Sequence, residues 1–151
     1  MNTEIEAKWL NCNHDDIRQK LILRGAVLQQ KERLMTRIVF DYPDKRLEKM
    51  NGWVRVRHEG DKITLSYKQL DDRTIHGTKE VTVVVNDFDV TSSFLESIGL
   101  KSYSYQETKR ESWKIGDVEI ELDTWPWIPP FIEIEAPDEK SLVQVAADLG
   151  L

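Results

Sequence analysis

Charged side chains recur at every second position in several short segments of the chain, and their signs are sorted by segment. Glu4 and Glu6 alternate with Ile5 and Ala7. Glu119, Glu121 and Asp123 alternate with Val118, Ile120 and Leu122, and Glu133 and Glu135 with Ile132 and Ile134. A period of two puts such carboxylates on one face of a strand and the aliphatic residues on the other. Arg55, Arg57 and Lys68, together with Lys79 and Arg110, present the opposite sign on other strands. The plain alternative is a set of sheet faces turned to water. Like charges opposed across neighbouring strands are destabilising, however, so a merely solvated face should mix its signs. Clustered carboxylates suit a hard divalent cation such as Mg²⁺ or Mn²⁺, which takes oxygen ligands. Clustered Arg and Lys suit phosphate oxygens, with Arg offering a bidentate fork. The two together point to a metal–polyphosphate complex.

The backbone devices that usually cradle phosphate at a helix start are missing: there is no Gly-x-x-x-x-Gly-Lys-Ser/Thr loop and no Gly-x-Gly-x-x-Gly. Phosphates would have to be held by side chains on strands. A closed barrel with a polar interior supplies such a lining from every second residue.

Composition narrows the field further. The 151 residues suit one compact domain, residues 1–151, and 40% apolar content with five Trp argues against disorder. No apolar run approaches the roughly 18 residues that span a bilayer, and Met1 to Glu6 lack the basic start and apolar stretch of a signal peptide, so a cytoplasmic location is expected. Cys12 is the only cysteine, which leaves no intrachain disulfide and no thiolate zinc cluster. His14, His58 and His76 lack the spacing of helical zinc ligands. The 21 Lys+Arg against 27 Asp+Glu, net −6, speak against a general nucleic-acid partner.

The elements that must position the charges follow from periodicity and punctuation. Strands are expected over 2–10, 36–41, 53–58, 62–69, 78–85, 103–115, 118–124 and 131–136. Asn13 or Asp15 should cap a helix carrying Ile17, Leu21 and Ile22, ended by Gly25. Asp87 or Asp89 should start a second through Phe94, Leu95 and Ile98. A third, behind Pro137, should carry Leu142, Val143, Ala146 and Leu149. Strands that follow strands without regular helical crossovers predict an α+β fold around an antiparallel sheet, and eight such strands can close on themselves.

Glu4-Ile5-Glu6-Ala7-Lys8 resembles the Glu-x-Glu-x-Lys signature of the CYTH family, the triphosphate tunnel metalloenzymes that include class IV adenylyl cyclases and thiamine triphosphatases. Phe40-Asp41-Tyr42-Pro43-Asp44, Val54-Arg55-Val56-Arg57, Leu65-Ser66-Tyr67-Lys68, Arg110, Asp123 and Glu133-Ile134-Glu135 follow in the family's order. The resemblance implies an eight-stranded antiparallel closed β-barrel, a tunnel with a polar interior, flanked by about three helices. It implies that Glu4, Glu6, Asp123, Glu133 and Glu135 hold Mg²⁺ or Mn²⁺, and that Lys8, Arg55, Arg57, Lys68 and Arg110 grip a triphosphate. Thr108-Lys109-Arg110 departs from the family's Lys-x-Arg, so only Arg110 carries over, and Lys109 should face outward.

Other residues stay open at this level. Glu119 and Glu121 either support the metal ligands or pair with lysines, only one of Lys79 and Glu80 can face inward, and Arg37 reaches phosphate or balances a carboxylate. The Trp125-Pro126-Trp127-Ile128-Pro129-Pro130 segment reads as a packed, stiff loop rather than a lid over a substrate ring. His58 should point away from Arg57. The expected activity is metal-assisted attack at phosphorus in inorganic triphosphate, ATP or thiamine triphosphate, with hydrolysis favoured. The alternatives are a class IV adenylyl cyclase, making cyclic AMP and pyrophosphate, and a non-catalytic polyphosphate or nucleotide sensor. No membrane or nucleic-acid partner is expected, and the oligomeric state is open, a homodimer included.

Overall fold

A computed structural model describes all 151 residues, Met1–Leu151. The elements run β1 (Asn2–Leu10), α1 (His14–Leu23), β2 (Val27–Asp41), β3 (Gly52–His58), β4 (Ile63–Leu70), β5 (Thr78–Val85), α2 (Phe88–Ser97), β6 (Lys101–Ile115), β7 (Val118–Thr124), β8 (Phe131–Ala136) and α3 (Glu139–Leu149), with one 3-10 turn at Glu48–Met50. The strands hydrogen-bond in the closed order β1-β5-β4-β3-β2-β6-β7-β8, so the fold is the expected closed eight-stranded antiparallel barrel with three helices. No helix is long and apolar enough to cross a membrane.

The chain divides into two compact units, each with its own core. The first comprises Met1–Thr3 and Leu34–Glu107. There α2 packs on β3, and Phe40, Val56, Leu95 and Leu100 form the centre. The second comprises Glu4–Arg33 and Thr108–Leu151. In it α1 and α3 pack together, and α3 lies on β7 and β8. Ile17 and Leu21 of α1 meet Leu142, Val145, Ala146 and Leu149 of α3 and the aliphatic face of the strands, Ile120, Leu122, Ile132 and Ile134. Burying a Leu or Ile side chain contributes roughly 1.5–3 kcal/mol. This alternation is therefore what fixes the carboxylates to the opposite face.

Side-chain caps select among the helix starts that the sequence left open. Asn13 Oδ1 accepts from the backbone N–H of Asp15 and Asp16 at 2.9 and 3.1 Å, Asp87 Oδ1 from that of Val90 at 2.7 Å, and Asp138 Oδ1 from that of Ser141 at 2.8 Å. Some expected core positions are not core. Ile22, Phe94, Ile98 and Val143 are all more than half exposed, while Val145 is buried; packing on only one side leaves a narrow stripe of each helix buried. The second strand is also longer than the sequence suggests, beginning at Val27 rather than Thr36. Residues Gln29 to Arg33 are all polar, and it is pairing with β6 that holds them extended.

Candidate functional site

In the second unit the register stacks the charged residues into rungs. Lys114, Glu119, Glu135 and Glu6 form one, directly opposite one another across β6, β7, β8 and β1. Ser112, Glu121, Glu133 and Lys8 form the next, and Arg110, Asp123, Phe131 and Leu10 the third. Glu4 continues the β1 face two residues before Glu6. Thus Glu6, Asp123, Glu133, Glu135, Lys8 and Arg110 share one face, as do Glu119 and Glu121.

Arg110 and Lys8 organise the carboxylates around them. Arg110 donates Nε and Nη2 to the two oxygens of Asp123 at 2.8 and 2.6 Å, and its guanidinium lies 3.7 Å from Glu133 and 4.0 Å from Glu121. Asp123 is completely buried. Burial alone would lower the Arg110 pKa, but Glu133, Asp123 and Glu121 outweigh it and hold it above its ordinary value. Lys8 Nζ sits 2.8 Å from Glu133 and 3.5 Å from Glu6. Burial would lower its pKa too, and the same two carboxylates raise it. The Glu121 carboxyl is pushed up by burial, although Arg110 and a 2.5 Å hydrogen bond from Ser112 Oγ pull the other way. Glu119 pairs with Lys114 at 3.9 Å. Of the two sequence options for these residues, Glu119 thus pairs with a lysine, while Glu121 lies beside Arg110 and Ser112.

Arg33 is a basic residue on this side that sequence reasoning missed. Its Nη1 donates to Ser112 Oγ at 2.9 Å and to the Arg110 carbonyl at 3.0 Å. Continuing the period of two back along β2 would have found it, had the strand been extended to Val27. Lys109 is exposed and reaches Glu32 at 3.9 Å, in keeping with its outward parity.

The residues present fit a hard cation by donor chemistry. The second unit holds 15 Asp+Glu against 10 Lys+Arg, net −5, and the first 12 against 11, net −1. Five-sixths of the chain's net negative charge thus lies with the unit whose strand face carries the stacked carboxylates. No three of these groups form a ready-made cage; Arg110 and Lys8 are the cations that sit among them.

The first unit carries the basic face. Arg37, Arg57 and Thr64 stand opposite one another across β2, β3 and β4; Arg55, Ser66 and Thr82 across β3, β4 and β5; and Trp53, Lys68 and Glu80 across the same three strands. Arg37 and Arg55 are buried. Here the sequence missed one carboxylate, Glu59, and left Glu80 as one of two options. Glu59 accepts from Arg57 Nε and Nη2 at 2.8 and 2.5 Å and from Thr64 Oγ1 at 2.9 Å. Burial would raise its pKa, but Arg57, Thr64 and Lys62 prevail and hold it below the usual carboxylate range. Glu80 takes Lys68 Nζ at 2.8 Å, Ser66 Oγ at 3.0 Å and the Thr82 hydroxyl. The inward member of Lys79-Glu80 is therefore Glu80, while Lys79 pairs with Asp71 outside. Glu59 continues the parity of Arg55 and Arg57 past the end of β3, and that was the available signal. Asp41, by contrast, is structural: its carboxylate accepts from the N–H groups of Tyr42, Leu47 and Glu48 at 2.6, 3.1 and 2.9 Å.

The proline-rich connection from β7 to β8 is only partly the packed loop expected. Trp125 packs against Phe131 with ring centroids 6.4 Å apart. Trp127 is fully exposed and holds a left-handed backbone with φ 71°. His58 is exposed, and its Nδ1 accepts from the Gly60 N–H at 3.1 Å.

Residues 2–149 match the CYTH domain, and the chain belongs to the CYTH family. No curated protein matches it in sequence. Among solved structures the fold is similar to that of a Pyrococcus horikoshii protein, at 24% identity over 98% of this chain and 90% of that one, TM-score 0.81. It is also similar to a candidate adenylate cyclase of Vibrio parahaemolyticus (18%, 98% and 84%, 0.81). A third likeness is to a candidate adenylyl cyclase of Hippeastrum described with a dominant triphosphatase activity (16%, 97% and 88%, 0.71).

Proposed function

We propose that the protein is a metal-dependent enzyme that hydrolyses a triphosphate-bearing substrate, with residues 1–151 working as one cytoplasmic CYTH domain and neither nucleic acid nor membrane as partner. One observation carries the reading in a member of this family: the rungs Glu6–Glu135–Glu119 and Lys8–Glu133–Glu121 set carboxylates side by side at a cost that a bound cation would offset. Glu4, Glu6, Asp123, Glu133 and Glu135 would hold Mg²⁺ or Mn²⁺. The bound cation would supply charge neutralisation at the phosphate oxygens and a more acidic water.

The chain's own residues do the rest. Lys8, Arg55, Arg57, Lys68 and Arg110 bind phosphate oxygens, and their fixed charges stabilise the negative charge that shifts during transfer. Glu59 and Glu80 hold Arg57 and Lys68 in place before substrate arrives, so these cations need not be ordered on binding. Phosphate oxygens then share or take over those contacts. Asp123 orients Arg110 through both oxygens.

The 151-residue protein should be incubated with Mg²⁺ or Mn²⁺ and, separately, inorganic triphosphate, ATP and thiamine triphosphate. Release of inorganic phosphate, abolished by a chelator, is expected. Cyclic AMP plus pyrophosphate from ATP would replace hydrolysis by the cyclase reading, and tight binding without any product would leave a sensor.

A further inference from the structure

Arg33 closes the polar run Gln29 to Arg33 on β2, and its guanidinium reaches across to the neighbouring strand β6. Nη1 carries two hydrogens and has two acceptors there, the Arg110 carbonyl at 3.0 Å and Ser112 Oγ at 2.9 Å. A hydroxyl has a single proton to give, and an arginine can only donate. With its oxygen accepting from Arg33, buried Ser112 must send that proton elsewhere, and it goes to Glu121 Oε2 at 2.5 Å. Donation into the hydroxyl oxygen also strengthens the bond that the hydroxyl makes. Arg33, Ser112 and Glu121 thus form one directed chain.

Glu121 is the group in need of such a restraint. Its Oε2, the atom that Ser112 holds, lies 4.0 Å from Arg110 Nε. Nε has one hydrogen, which Asp123 Oδ1 already accepts at 2.8 Å, beside the Nη2 bond to Asp123 Oδ2 at 2.6 Å. Glu121 is therefore a rival for the same hydrogen, standing just out of hydrogen-bond range. The two side chains are only 12% and 15% exposed, so water does little to screen their attraction. Asp123 uses two of the five N–H groups of Arg110 and leaves three for other acceptors. A Glu121 carboxylate that moved onto Nε would pull the fork off Asp123 and re-aim those three.

We infer that Arg33 is a positioning residue for Arg110: through Ser112 it holds Glu121 away from the guanidinium, and so keeps the fork to Asp123 in the geometry in which Arg110 meets phosphate oxygens. Its bond to the Arg110 carbonyl ties down the β6 backbone at the same residue. Arg33 itself makes no contact with the substrate in this scheme. The inference rests on the triphosphate reading above, which gives Arg110 its task, and adds what fixes the aim of that side chain.

Dissociation constants of the 151-residue protein for inorganic triphosphate should be measured by calorimetry with Ca²⁺, a cation that takes oxygen ligands. The wild type is compared with Arg33→Gln, Ser112→Ala and Glu121→Gln, and with Glu121→Gln added to each of the first two. Arg33→Gln and Ser112→Ala should each weaken binding about tenfold. Adding Glu121→Gln should restore most of that loss, whereas Glu121→Gln in the wild type should shift affinity less than about threefold. A structural role for Arg33, or a direct pull of its charge on phosphate, predicts instead that Glu121→Gln changes affinity by the same factor in every background; that result would overturn the positioning role. Undiminished binding in Arg33→Gln would overturn it too and leave the triphosphate site standing. A wild type that does not bind would overturn both. Circular dichroism checks that each variant is folded, and if Arg33→Gln is not, the Ser112→Ala pair carries the same comparison.

Discussion

Asp123 and Arg110 are the pair on which the acidic face turns. Two parallel N–H···O bonds join a carboxylate with no exposed surface to a guanidinium that is nearly as enclosed. Removing one partner of such a pair leaves a desolvated charge behind and costs about 3–5 kcal/mol, far more than losing a surface ion pair. Asp123→Asn should therefore lower stability in urea unfolding by about that amount. A change below about 1 kcal/mol would place the pair among surface bridges. At this scale the sequence was a partial guide. It identified Arg55, Arg57, Lys68 and Arg110 by strand parity, yet not Glu59 or Arg33, because parity stops being readable where a turn or a polar run hides the end of a strand. Nor could it tell that Arg110 would sit with the carboxylates, since that depends on which strands are neighbours.

Among the elements, β7 and β8 were legible to the residue, as Val118–Thr124 and Phe131–Ala136, because aliphatic and acidic residues alternate cleanly in both. The first half of β2 was not. Gln29-Gln30-Lys31-Glu32-Arg33 offers no apolar period, and its extended form comes from a partner far away in sequence. The neatness of β7, β8 and β1 has an energetic cost. Glu135 stands directly between Glu119 and Glu6. Glu135→Gln should raise the melting temperature of the metal-free protein, since an opposed like-charge pair costs a few tenths of a kcal/mol or more. The same change should weaken the stabilisation by Mn²⁺, which in the wild type amounts to about 2.7 kcal/mol when the cation is at 100 times its dissociation constant. Thermal unfolding with and without Mn²⁺ separates these outcomes. A variant that is less stable without metal would make Glu135 a structural residue.

Across the whole molecule, the response to acid follows from which carboxyls are shifted and in which direction. Burial would raise Asp41 and Glu59, but backbone N–H groups hold the first, and Arg57 and Thr64 the second, below their ordinary range. Both contributions are present above the unfolded value of roughly 4 and are lost as pH falls through the lower folded values. Glu121, raised by burial, works in the opposite sense and recovers stability as it takes up its proton. Urea midpoints should thus hold from about pH 7 to 5 and fall below about pH 4, with Asp41→Asn flattening the decline. An equally steep fall in that variant would move the acid sensitivity elsewhere. The closed strand order bears also on how the chain is made. β1 has β5 on one side and β8 on the other; its residues Ile5 to Leu10 find their β8 partners at Phe131 to Ala136, so on the ribosome that edge of the first strand must wait for β8. At 5–20 residues per second that is on the order of 6–25 seconds. The acidic face therefore cannot be joined across β8 and β1 before β8 is made. It comes into being only once β8 has been made, and until then Glu6 and Lys8 on a nascent β1 lack their neighbours Glu135 and Glu133.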